Sequence, residues 1–102
     1  AGEYDKAIDD FGVVLDSDKN VPELYSALGA AYAAKGEYAK AALLLEPYYS
    51  DFKYFKPLGF ALSSARLNAG EAEKAKEPLQ FILSYDKHDE QALTRLKNME
   101  NL

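Results

Sequence analysis

The sequence predicts an all-α fold of stacked antiparallel helix pairs, and three observations carry that prediction. One short block of residues returns at a fixed step along the chain. The residues between the blocks place apolar side chains at helical spacing, with proline and glycine at the ends of the runs. The composition agrees: four prolines and six glycines are few for a β-rich or disordered chain, while alanine and leucine are abundant.

The block Gly2-Glu3-Tyr4-Asp5-Lys6-Ala7 returns as Gly36-Glu37-Tyr38-Ala39-Lys40-Ala41 and again as Gly70-Glu71-Ala72-Glu73-Lys74-Ala75, each copy 34 residues after the last. Lys19, Lys53 and Lys87 keep the same step, as do the apolar residues Phe11, Leu45 and Leu79. Self-similarity at one fixed period is the mark of a repeat architecture, in which each unit buries too little alone and stacking supplies the core.

Taken in order, the first helix is predicted over 3–16, where Tyr4, Ala7, Ile8, Phe11 and Val14 or Leu15 fall at helical spacing. The second spans 22–34, with Pro22 where a missing N–H costs little and Leu24, Leu28 and Ala31 on one face. Gly36 follows it, where a left-handed residue is wanted, and Glu37 then suits the positive end of a third helix over 37–49. The fourth, over 56–68, repeats the second: Pro57 near its start, Leu58, Leu62 and Ala65 on one face, Gly70 after its end. The fifth covers 71–84. The sixth covers 90–100, with Asp89 as its N-cap. In the last helix Leu93 and Leu96 are expected to cover the preceding pair, and Thr94, Arg95, Lys97 and Asn98 to face water, as the end of an array requires. Short connections make neighbouring helices antiparallel. Pro47 and Pro78 are expected to interrupt or bend their helices; Pro47 could also re-aim the aromatic segment after it.

The period and these residues resemble the tetratricopeptide repeat (TPR). Tyr25, Leu28, Gly29 and Tyr32 match its first-helix signature, with Tyr in place of the usual Trp, and Gly36, Tyr38, Ala41 and Leu45 match its second helix. The resemblance implies a right-handed superhelical solenoid of about six helices, a single domain over 1–102. Within it, 1–16 reads as the second helix of a truncated repeat, 22–49 and 56–84 as full repeats, and 88–102 as a capping helix with Leu102 near the natural end of the array. The expectation is a fragment of a larger protein. Gly29 and Ala41 fall at the family's close-contact positions, and Ala75 repeats the second of these. The third copy departs from the pattern: Gly59 stands where the large aromatic belongs, Arg66 where Tyr is usual, and Lys53 and Lys87 where a proline commonly closes a repeat.

Several function classes are argued against. The absence of cysteine excludes disulfides and thiolate zinc sites and decides nothing about location. No run approaches the apolar length of a membrane span. The first residues lack the basic and apolar regions of a signal peptide. The compartment stays open, with the cytoplasm favoured over the periplasm. A net charge of −5, with twelve Lys and Arg scattered singly, is not the basic stripe of a nucleic-acid reader. His88, the only histidine, falls in an interhelix loop beside Asp86 and Asp89 and reads as solvated; Ser63-Ser64 lies within a helix without a His nearby; Asp9-Asp10 reads as surface. No Gly-rich phosphate loop or paired-histidine zinc motif appears, so no catalytic, metal or cofactor site is expected.

What the resemblance implies instead is a protein–protein interaction scaffold, a co-chaperone-like adaptor, binding a peptide or amphipathic helix in a concave groove lined by the first helix of each pair. Carried onto this chain, that groove holds Ser26, Ala30 and Ala33 from one helix and Phe60, Ser64, Leu67 and Asn68 from the next, a small, apolar, nearly uncharged floor. Some family members clamp C-terminal carboxylates of chaperones with an Asn, a Lys and an Arg; the matching positions here are Ala27, Pro57 and Ala61, which cannot pair a carboxylate. Alternatives are a structural or self-assembly segment of a longer array, associating through the truncated N-terminal helix, and an RNA-binding helical repeat. The aromatic cluster Tyr48, Tyr49, Phe52, Tyr54, Phe55 and Phe60 reads as core and loop packing or as an exposed anchor. If Phe60 and Leu67 serve the groove, Phe60→Ala should spare stability, whereas Leu62→Ala should cost ~2–5 kcal/mol as a core truncation.

Overall fold

The computed structural model describes residues 2–18 and 20–100; Lys19 and Leu102, singled out above, lie outside them. Six helices follow one another: α1 (Gly2–Ser17), α2 (Pro22–Ala34), α3 (Tyr38–Asp51), α4 (Lys56–Asn68), α5 (Ala72–Tyr85) and α6 (Glu90–Glu100). No strand occurs among the described residues. Helices consecutive in sequence pack on one another, and α2 packs also on α4.

The antiparallel sense of the pairs is written in their contacts. Tyr25 stacks on Tyr48 at a ring separation of 3.7 Å, while a Cβ on Gly29 would meet Leu45. Moving forward along α2 thus means moving backward along α3. On α4 and α5 the same crossing appears: the Ser63 hydroxyl donates to the Ala75 carbonyl at 2.7 Å and the Arg66 guanidinium to that of Lys74 at 3.1 Å.

The two glycine turns are equivalent. Gly36 and Gly70 have φ of +81° and +88°, a left-handed conformation that costs glycine nothing and other residues much. In each turn the glycine N–H donates three residues back, to Ala33 or Leu67, and the following glutamate N–H donates five back, to Tyr32 or Arg66. These bonds satisfy carbonyls that a helix end leaves orphaned. The N-terminus of α6 is closed as expected: the Ala92 N–H donates to the Asp89 carboxylate at 2.9 Å.

Two buried clusters form the core. One joins Leu15, Tyr25, Leu28, Ala41, Ala42, Leu45, Leu58, Leu62 and Ala65; the other joins Phe60, Ala75, Leu79, Ile82, Ala92 and Met99. Ala41 and Ala75, the small residues at the close-contact positions, are fully buried. In α1, Leu15 rather than Val14 turns inward, Ile8 and Phe11 pack against the first cluster, and Tyr4 and Val14 remain exposed. In α6, Ala92, Met99 and half-buried Leu96 cover the preceding pair, whereas Leu93, expected to do so, is exposed.

The prolines do not end their helices. α3 runs through Pro47 and α5 through Pro78. Pro78 removes the N–H that would bond the carbonyl of Lys74, four residues back. That carbonyl is the one Arg66 bonds, so a side chain of α4 supplies the donor that the proline lacks. Arg66 also meets Glu46 at 3.5 Å and Glu77 at 3.4 Å, so α4 is tied to α3 and α5 through the residue that stands where the repeat pattern has tyrosine. Gly59, the other departure, leaves room that is closed by the Tyr49 ring edge, Ile82 and Pro78.

Candidate functional site

The α2–α4 contact sets the first helices of the two pairs side by side, and their shared outer surface opens into a cavity of about 450 Å³. Ser26, Ala30 and Ala33 reach it from α2, and Phe60, Ser64 and Asn68 from α4, so six of the seven residues expected to form the groove do line one space. Leu67, the seventh, opens instead into a smaller adjoining cavity of about 210 Å³, with Ser64, Arg95, Asn98 and Met99. Small side chains make this space: every residue that α2 contributes is Ser, Gly or Ala. Pro57 and Ala61 line the larger cavity, and neither offers a charge to a ligand.

Two expectations about this surface are corrected. Phe60 is not a free groove residue; it is 9 % exposed and belongs to the C-terminal core with Leu79, Ile82 and Met99. Helical spacing puts Phe60 on the face of Ser64 and Leu67, but α5 and α6 wrap that end of α4 far enough to bury the larger ring. Arg95 does not simply face water, and it sets a charge in the wall beside the uncharged floor. Its Nη1 donates to Ser64 Oγ at 2.7 Å and to the Phe60 carbonyl at 3.3 Å, and its guanidinium lies 4.9 Å from the centre of the Phe60 ring. Arg95 and Asn98, both on the helix expected only to cap the array, are therefore wall residues of the groove. Their sequence signal was ambiguous: in an amphipathic terminal helix, a residue beside the apolar stripe faces either solvent or the preceding α4.

Some of the remaining charges pair with one another. Lys56 bonds Asp86 at 2.6 Å and Asp89 at 2.8 Å, pinning the start of α4 to the α5–α6 connection. Hydrogen bonding from Lys56, then from the Ala92 N–H, holds the Asp89 carboxyl below its ordinary value, and the two carboxylates hold Lys56 above its own. His88 is exposed in that connection. No group of residues suited to holding a metal ion occurs among those described, and no helix there is long and apolar enough to cross a membrane.

The aromatic cluster divides. Tyr48 and Phe52 stack around Tyr25 and, with half-buried Tyr49 and Phe55, pack against the first core cluster. Tyr54 is 72 % exposed and meets Phe81 and Tyr85 at ring separations of 5.3 and 5.0 Å on the α5 side.

With this geometry in hand, three solved structures are similar over nearly the whole chain. The first TPR of Spaghetti (RPAP3), bound to the HSP90 peptide SRMEEVD, gives a TM-score of 0.85 at 22% identity, covering 98% of this chain and 79% of that one. The NMR structure of the first TPR domain of human RPAP3 gives 0.86 at 22% identity, with the same coverage of 98% and 79%. A thermophilic TPR protein of Thermus thermophilus gives 0.85 at 20% identity, over 99% of this chain and 52% of that one. No protein-family model matches the sequence, and no curated protein does.

Proposed function

We propose, from the all-α TPR solenoid fold that these likenesses establish, that this chain is a protein-interaction scaffold whose α2–α4 groove takes a peptide or helix of a partner protein. The observation that carries the reading is the cavity of about 450 Å³ floored by Ser26, Ala30 and Ala33 and bounded by Ser64 and Asn68. Small residues keep this surface concave, and a concave, mostly apolar surface with a few polar groups is what an extended or helical peptide buries itself against. A structurally similar domain bound to a peptide supports the reading, although Ala27, Pro57 and Ala61 offer no charge for clamping C-terminal carboxylates.

The test is selection from a displayed library of random short peptides, on the wild type and on Ala30→Arg. Ala30 is exposed and lines the cavity, so arginine there fills the groove without disturbing the core. Peptides that bind the wild type and not the variant, at equal melting temperatures, are expected. Binders indifferent to Ala30→Arg would place binding elsewhere.

A second reading, self-assembly, is favoured by the exposed apolar residues Tyr4, Val13 and Val14 along α1. Sedimentation across concentration separates the two: association abolished by Val13→Asp and Val14→Asp, and insensitive to Ala30→Arg, belongs to α1.

A further inference from the structure

The chain has two arginines, and they are satisfied differently. Arg66 is ion-paired with Glu46 and Glu77. Arg95 is half-buried, yet no carboxylate among the described residues lies within ion-pair distance of it, although the chain carries seventeen acids. Both of its protein hydrogen bonds leave from Nη1 and end on neutral oxygens, Ser64 Oγ and the Phe60 carbonyl. Those bonds and the Phe60 ring fix the guanidinium in place. Its Nη2 and Nε donors, out of five N–H in the fork, have no acceptor among the described residues.

The position of Arg95 adds a second constraint. Together with Ser64 it borders both cavities, the larger one walled by Ala30, Ala33 and Ala61 and the smaller one walled by Leu67 and Met99. A ligand group that reaches Arg95 therefore has apolar space on either side of it. A preset cation with no anion among the described residues, between two apolar hollows, is complementary to an acid flanked by apolar side chains.

We propose that the groove selects a partner segment bearing one internal aspartate or glutamate with apolar residues before and after it, the carboxylate taken by Nη2 and Nε of Arg95 and the flanking side chains seated in the two cavities. This rests on the reading of the groove as a peptide site. A side-chain carboxylate is required rather than a chain terminus, because a terminus at Arg95 would leave one of the two hollows empty.

The experiment extends the peptide selection. Peptides enriched on the wild type are expected to share a central Asp or Glu between apolar residues. Replacing that Glu by Gln in a synthetic copy should weaken binding about tenfold or more, the scale of a lost charged hydrogen bond, while amidating the C-terminus should change nothing. Neither peptide-side comparison depends on a protein variant folding. Selection on Arg95→Glu should exchange the central acid for Lys or Arg, a change of preference that a merely structural Arg95 would not produce. Binders without a central acid, or with affinity that follows the terminal carboxylate, overturn this inference and leave the groove reading standing. A library that yields no binder blocked by Ala30→Arg overturns both.

Discussion

Truncating Phe60 to alanine separates two roles that helical spacing alone confuses. On spacing, Phe60 shares a face with Ser64 and Leu67, and its loss should affect binding only. In the structure the ring is 9 % exposed and packs with Ala75, Leu79, Ile82, Ala92 and Met99. Removing a buried Phe ring costs ~3–5 kcal/mol, as lost transfer energy plus an unfilled cavity. Because one edge of this ring lines an open groove, water can enter the space left behind, and the low end, about 3 kcal/mol, applies. At a urea slope of about 1.5 kcal/mol per molar, that is a fall of roughly 2 M in the unfolding midpoint. Leu67→Ala, half-buried beside the smaller cavity, should cost about 1 kcal/mol. Urea titrations of wild type, Phe60→Ala and Leu67→Ala by circular dichroism give the comparison. A Phe60→Ala midpoint no lower than that of Leu67→Ala would refute the assignment of Phe60 to the core.

Three further outcomes follow from other contacts. A Cβ at Gly29 would sit 2.7 Å from Leu45 Cδ1, on a fully buried side chain, whereas one at Gly59 meets nothing closer than 3.6 Å. Gly29→Ala should therefore destabilise by about 1–2 kcal/mol through overpacking, and Gly59→Ala should stabilise by roughly 0.5–1 kcal/mol through helix propensity; thermal melts that rank them the other way would contradict the packing described. The Asp89 carboxyl is held below its ordinary value by Lys56, so its contribution to stability is present above that value and is lost as pH falls through the lowered one. Asp89→Asn keeps an N-cap and removes the charge, so the stability gap between wild type and variant should be steady near neutrality and close below about pH 4; a gap unchanged by acid would show that the ion pair contributes nothing. Finally, amidating the C-terminus of the peptide SRMEEVD should leave its affinity by titration calorimetry unchanged, because Pro57 and Ala61 present no cation to a terminal carboxylate; binding that is lost on amidation would refute that argument.

The sequence by itself determined the helices and their order. Gly36 and Gly70, one period apart, needed φ above zero in identical turns, and both turns have it. Pro22, Pro57 and Asp89 marked helix starts because each solves the problem of unpaired N–H groups locally. Such features are short-range, so a one-dimensional reading reaches them. The small residues Ser26, Ala30 and Ala33 of the candidate groove were legible for a related reason: their helical spacing, with the repeat pattern, set them on one face of α2.

Only the tertiary structure decided what each face of α4 and α6 meets. Phe60 is buried because α5 and α6 close over one end of α4, a contact between residues far apart in the chain. Arg66 is held inside because Pro78, twelve residues later, leaves the Lys74 carbonyl needing a donor. Arg95 lines the groove because Ser64 and the Phe60 carbonyl, some thirty residues earlier, are placed to accept its hydrogen bonds. Periodicity states which residues share a face, but a face acquires its chemistry from whatever is packed across it, and that partner is fixed only when the helices stack.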